Sequence, residues 1–132
     1  MNQNPSVFPM GEPLPQQFSP FFIGQAYLNP LTQVGGPIAN VTFEPGCRNN
    51  WHIHHKGGQI LLVTGGRGWY QDWGKDAQEL HPGDVVVIPP EVKHWHGAAK
   101  DCWFSHLAVE IPAEGASNEW LEPVDDGAYG AL

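Results

Sequence analysis

A chain of 132 residues and 14.5 kDa amounts to one domain, long enough to bury a core without disulfides. Six Trp, six Phe and three Tyr exclude a disordered chain, while 16 Gly and 13 Pro announce many turns. Fourteen acidic against six basic side chains, a net charge of −8, disfavour nucleic acid and anionic membrane surfaces, which both call for a basic face.

Residues 1–17 hold no basic residue and no apolar block, so they do not read as a secretory signal. Two cysteines, Cys47 and Cys102, make no disulfide framework and read as small packing residues, which suits a reduced, cytoplasmic setting. Residues 1–22 carry five prolines and four of the six Phe. Proline breaks helical hydrogen bonding, so this stretch is expected to be an extended arm whose Phe8, Phe18, Phe21 and Phe22 pin it to the body or to a second subunit. Residues 23–132 then form the domain proper.

Short strands separated by turn signals follow, the pattern of an all-β sandwich or barrel. Strands are expected over 26–28, 37–43, 51–54, 59–64, 68–72, 84–88, 93–96 and 103–111, with a short helical turn within 125–132. Ile60-Leu61-Leu62-Val63 and Val85-Val86-Val87-Ile88 are continuous apolar runs, whereas a strand with one wet face alternates. Both are expected to be covered on two sides, by the barrel interior and by the arm or a partner subunit, which favours a homodimer or a higher homo-oligomer.

The seven histidines are placed in a pattern. His52 and His54 flank Ile53, and His94 and His96 flank Trp95. On a strand, residues i and i+2 share a face, so each pair points its imidazoles one way. His106 lies on the last long strand, on the same face as Phe104, Ala108 and Glu110. Converging neutral imidazoles suit a borderline divalent ion such as zinc, iron, nickel or manganese. His55 falls on the opposite face, His81 reads as a turn residue, and Lys56 and Lys93 read as solvated charges.

Gly46, His52-Ile53-His54, Gln59 and Gly66 have the spacing of the first cupin motif, and Gly83, Pro89 and His94 resemble the second. The general pattern has glutamate where Gln59 stands, glycine at Glu91 and asparagine at Ala98. Val41-Thr42-Phe43-Glu44-Pro45-Gly46, His81-Pro82-Gly83-Asp84-Val85-Val86, Lys93-His94-Trp95-His96-Gly97 and His106-Leu107-Ala108 look like the small bacterial cupins. That group includes manganese-dependent hydroxynitrile lyases and carboxymuconolactone decarboxylase-associated domains. The resemblance implies a cupin double-stranded β-helix (jelly-roll) barrel around one divalent metal ion, manganese first, with iron, zinc, nickel or cobalt as alternatives. It implies His52, His54, Gln59 and His94 as ligands, His96 and His106 as active-site residues, and Ala39, Val41 and Glu110 as pocket positions. The lyases carry glutamine where Glu110 stands, and the loop before Gln59 is one residue longer here.

Phe43 and Phe104 alternate with these positions and are expected to complete an apolar substrate pocket for a small molecule. His96 or His106 would act as general base on a cyanohydrin-like hydroxyl. Glu110, a carboxylate beside a departing cyanide, would favour a proton-shuttling reaction such as isomerisation instead. A cupin dioxygenase and a non-catalytic binding or sensing cupin are the competing functions.

Overall fold

The computed structural model describes residues 4–34 and 37–132. In chain order the elements are β1 (Glu12–Pro13), a 3-10 turn (Ser19–Phe21), β2 (Phe22–Ile23), β3 (Ala26–Thr32), β4 (Ile38–Phe43), β5 (Arg48–Asn49), β6 (His52–His55), β7 (Gln59–Gly66), β8 (Gly68–Asp72), β9 (Gln78–Leu80), β10 (Val85–Ile88), β11 (His94–Ala98), β12 (Phe104–Glu110), β13 (Ser117–Trp120) and α1 (Asp126–Gly130). Every strand pairing is antiparallel, and the strands form two sheets. One sheet has the order β1-β3-β4-β12-β7-β10, and the other runs β13-β6-β11-β5-β2 with β8 and β9 continuing beyond β11. No helix among the described residues is long and apolar enough to cross a membrane.

Alternation decides which side chains enter the space between the sheets. On β7, Gln59, Leu61 and Val63 are buried while Ile60, Leu62 and Thr64 are less so. On β10, Val86 and Ile88 face in. The inner residues meet Phe43, Tyr70, Leu80 and Phe104 in the main core. A second cluster, Trp51, Trp95, Val124 and Tyr129, fills the opposite side of β11, where Arg48 stacks on Tyr129 at 4.1 Å and the Tyr129 hydroxyl bonds the carbonyl of Ala98. The expected helical turn is α1, capped at its start by Asp125, whose carboxylate accepts from the Ala128 N–H.

The first residues of the arm, Met1 to Gln3, lie outside the described residues; the rest lies along the body. β1 pairs with β3, β2 pairs with β5, and Ser6 bonds buried Asn40 at 3.0 Å. The arm leaves β10 open, however: Val85 and Val87 are 60 % and 61 % exposed in the single chain. The expected second cover on that strand is therefore absent within one chain. The valines alternate in and out like any half-buried strand, and their apolar run reflects β-propensity as much as burial.

Besides the two short strands of the arm, three strands went unanticipated. β5 and β9 are too short to show a period, and β13, Ser-Asn-Glu-Trp, lacks the β-branched run that marks a strand. β13 exists through its pairing with β6, Asn118 opposite His54 and Trp120 opposite His52. Several expected strands also run longer, since β3 continues to Thr32 and β11 to Ala98. Glu91 has φ 70°, a left-handed conformation that glycine adopts more readily than other residues. Its carboxylate compensates locally by accepting from the Lys56 N–H and from His55.

Candidate metal centre

β6 turns His52 and His54 inward and Ile53 and His55 outward. β11 pairs with β6 so that His94 sits directly opposite His52, and their ring centroids are 4.1 Å apart. One nitrogen from each of His52, His54 and His94 lies within 4.8 Å of the others, and all three side chains are buried.

Each ring is held by its Nδ1–H. His52 donates to the carbonyl of Asn50 at 2.8 Å, His54 to Oδ1 of Asn118 at 2.6 Å, and His94 to the carbonyl of Val92 at 2.9 Å. These acceptors place the proton on Nδ1 and leave Nε2 with its lone pair, the tautomer a metal ligand requires. Nε2 of His54 and of His94 is buried without a hydrogen-bond partner. A buried polar atom left bare costs stability unless something binds it. Three clustered imidazoles, two of them with bare buried nitrogens, therefore fit a divalent ion of the borderline class.

Gln59 opens β7, faces the same cavity, and donates from its amide nitrogen to Oε1 of Glu110, its cross-strand neighbour on β12. Its carbonyl oxygen takes no hydrogen bond among the described residues. His96, two residues beyond His94, is gripped by Asn49. Asn49 Oδ1 accepts from the His96 backbone N–H at 2.9 Å, and its amide nitrogen lies 3.2 Å from the ring Nε2. His106 stands 4.9 Å from His96, centroid to centroid, with its edge toward it. It is fully buried, and neither of its ring nitrogens has a partner.

Of the site histidines, His52, His54, His96 and His106 line a cavity of about 420 Å³. Its polar end holds His52, His54, Gln59, His96, His106 and Glu110, and its apolar wall includes Ala39, Val41 and Phe43. The arm completes that wall with Leu14, Phe18 and Phe22. Phe104, expected in the pocket, lies instead in the core behind His106, at a centroid distance of 5.6 Å. Gly68 on β8 makes room for it, since a Cβ there would fall 2.6 Å from the ring. His55 does lie outside, bridging Glu91 at 2.5 Å and Glu119 at 2.8 Å. Lys93, expected as a solvated charge, packs 3.5 Å above the Trp73 ring and pairs with Glu122 at 3.0 Å. Its stem and charge both find partners there.

Three contributors were not foreseen from sequence. Asn118 and Trp120 come from β13, and Asn49 from β5. Trp120 packs on His52 at 4.7 Å, and its other contacts are the arm residues Phe21, stacked at 4.9 Å, and Phe22 at 6.0 Å. Replacing Asn118 by alanine strips His54 of its acceptor. Metal affinity is expected to fall roughly 10- to 100-fold, as for other outer partners of a ligand. Chelator competition measures it, and an unchanged affinity would show that Asn118 does not orient the ring.

Burial pushes the imidazoles toward neutrality. His94 and His106 are lowered to about 4, chiefly by desolvation. His52 and His96 also lie well below the usual value, by burial first and then by the charge of neighbouring histidines. The unfolded chain takes up these protons near pH 6.5, before the folded one does. Folding stability without metal is therefore retained above pH 6.5 and lost as pH falls from 6.5 toward 4, by about 1.4 kcal/mol per pH unit for each histidine kept neutral. Denaturant unfolding of the metal-free protein at pH 7 and pH 5 tests this, and equal stabilities would refute it. Burial pushes the Cys47 thiol the other way, up to about 12, in keeping with a packing residue.

Residues 39–105 match the cupin domain family. Over 113 residues the chain is 45 % identical to an (R)-mandelonitrile lyase of Granulicella tundricola, a match covering 83 % of this chain and 86 % of that protein. The crystal structure of a cupin-like protein from Thermotoga maritima superposes with a TM-score of 0.85 at 39 % identity, covering 96 % of both chains. A DMSP lyase of Ruegeria pomeroyi, at 19 % identity and a TM-score of 0.63 over 94 % of this chain and 64 % of that one, shares the fold.

Proposed function

Since this chain belongs to the cupin family, we propose that it is a metal-dependent lyase of the hydroxynitrile lyase kind, cleaving a cyanohydrin into a carbonyl compound and hydrogen cyanide. The observation that carries the reading is a fully buried, neutral His106 with both ring nitrogens free, in the cavity lined also by His52 and His54 of the three-histidine cluster. The 45 % identity to a mandelonitrile lyase supports the same chemistry. His52, His54, His94 and Gln59 would hold the ion, with manganese as the first candidate. When bound by three imidazoles and an amide it keeps nearly its full charge and supplies Lewis acidity toward a hydroxyl or carbonyl oxygen.

His106 accepts the hydroxyl proton of the substrate at a free ring nitrogen. The hydroxyl oxygen becomes the carbonyl as the C–C bond to the nitrile breaks, and the bonding pair leaves with cyanide. His106 then returns its proton to cyanide, so hydrogen cyanide and an aldehyde or ketone balance the cyanohydrin consumed. His96 fits a positioning role better than a basic one, because the Asn49 amide already lies on its ring. Glu110 is engaged by the Gln59 amide, which favours a structural use of its carboxylate over the proton shuttle of an isomerase. Ala39, Val41, Phe43 and the arm residues Leu14, Phe18 and Phe22 give an aryl or alkyl group an apolar wall.

The test is mandelonitrile cleavage by protein freed of metal and reloaded with manganese, iron or zinc in turn, followed by benzaldehyde absorbance. Metal-dependent release of benzaldehyde above the background rate is the expected result. No turnover with any of these ions would refute the lyase reading.

A further inference from the structure

Glu110 is the carboxylate that the proposed reaction does not use. It stands directly across from Gln59 in the β12–β7 ladder, and the Gln59 amide nitrogen donates to its Oε1. We infer that Glu110 is a positioning residue: it locks the Gln59 amide so that the carbonyl oxygen, and not the NH2 group, is presented to the histidine cluster. The inference rests on the reading of Gln59 as the fourth ligand.

The physical argument starts from the symmetry of an amide. Its oxygen and nitrogen are nearly equal in size, so rotation by half a turn about the last side-chain bond exchanges a metal-binding acceptor for a donor that binds no cation. Something must choose between the two states. A carboxylate only accepts, so it pairs with the NH2 end and rejects the carbonyl end by repulsion between oxygens. The pairing is charge-assisted, which makes it stronger than a neutral amide–amide bond. It also draws electron density toward the carbonyl oxygen, which raises that atom's basicity toward an ion. A neutral amide at position 110 could offer either end and would accept both orientations of Gln59.

Manganese affinity, measured by chelator competition on the full chain, tests this with three variants. Gln59→Ala is expected to weaken binding and so report that Gln59 is a ligand. Glu110→Gln, which preserves size, is expected to weaken it roughly 10-fold, within the range known for outer partners. The double variant Gln59→Glu with Glu110→Gln reverses donor and acceptor: the carboxylate at 59 accepts from the amide at 110 with one oxygen and keeps the other for the ion. Its affinity is expected to return to the wild-type value or exceed it. Thermal unfolding of the metal-free variants is expected to stay close to wild type, which separates the effect from misfolding. If Gln59→Ala weakens binding and Glu110→Gln does not, the positioning role is overturned while the ligand stands. An unrestored double variant also overturns it, because an ordered donor–acceptor pair at 59 and 110 would then not be what sets the affinity. If Gln59→Ala itself binds manganese normally, the ligand reading fails, and this inference falls with it.

Discussion

His54→Ala is expected to abolish stoichiometric manganese binding and, with it, cyanohydrin cleavage. His54 sits on β6 with its Nδ1–H fixed by Asn118 and its buried Nε2 bare, so the lone pair has no use other than an ion. Deleting the ring removes one of three imidazoles that converge on a common point. His52, His94 and the proposed Gln59 then hold an ion with one strong imidazole donor fewer. The loss in affinity is expected to exceed the roughly 100-fold ceiling for outer partners, because a ligand is lost and not merely its orientation. The variant should still fold. His54 is one residue of the inner layer, and its removal relieves a buried nitrogen without a partner. Elemental analysis of the purified variant measures the outcome, and one equivalent of metal would remove His54 from the site.

His106→Ala is expected to lower kcat/KM for cyanohydrin cleavage by roughly 100- to 10,000-fold, the range for loss of a general base, with metal content unchanged. The ring stands on β12, across the cavity from the β6–β11 pair, and packs against Phe43 at 5.6 Å and Phe104 at the same distance. Those contacts keep water away and hold it neutral, at about 4. A neutral imidazole accepts a proton, whereas an imidazolium does not. The wild-type rate is therefore expected to hold through the mildly acidic range and to fall as pH approaches 4, and a nearby cation moves that fall lower still. His96→Ala is expected to reduce the rate less, because the Asn49 amide occupies its ring. Loss of metal in His106→Ala would make the residue a ligand, and wild-type turnover would leave the cavity without a base.

The arrangement of these groups was partly legible before folding. The two His-x-His pairs needed only the period of a strand to be placed on one face, and burial of His52, His54, His94 and His96 against outward Ile53 and His55 follows that period. The turn glycines 46 and 83, both at positive φ, marked where strands stop. Phe104 obeyed the same alternation and still missed the cavity, because the space beside Gly68 was invisible in a one-dimensional pattern. Val85 and Val87 show the converse: within the single chain their outer face is left uncovered, and the arm does not reach it.

Local periodicity thus determined the all-β class, the inward faces and the histidine pairs, since these depend only on how one strand projects its side chains. Tertiary structure decided everything that depends on which strand lies beside which. It brought Asn118 to His54, Trp120 to His52, Asn49 to His96 and Glu110 to Gln59, all across gaps of 47 to 68 positions in sequence as the ladder registers set them. It also brought Leu14, Phe18 and Phe22 to the cavity wall. Partners across a sheet are chosen by register and topology, which are collective properties of the whole chain, and no single segment carries them.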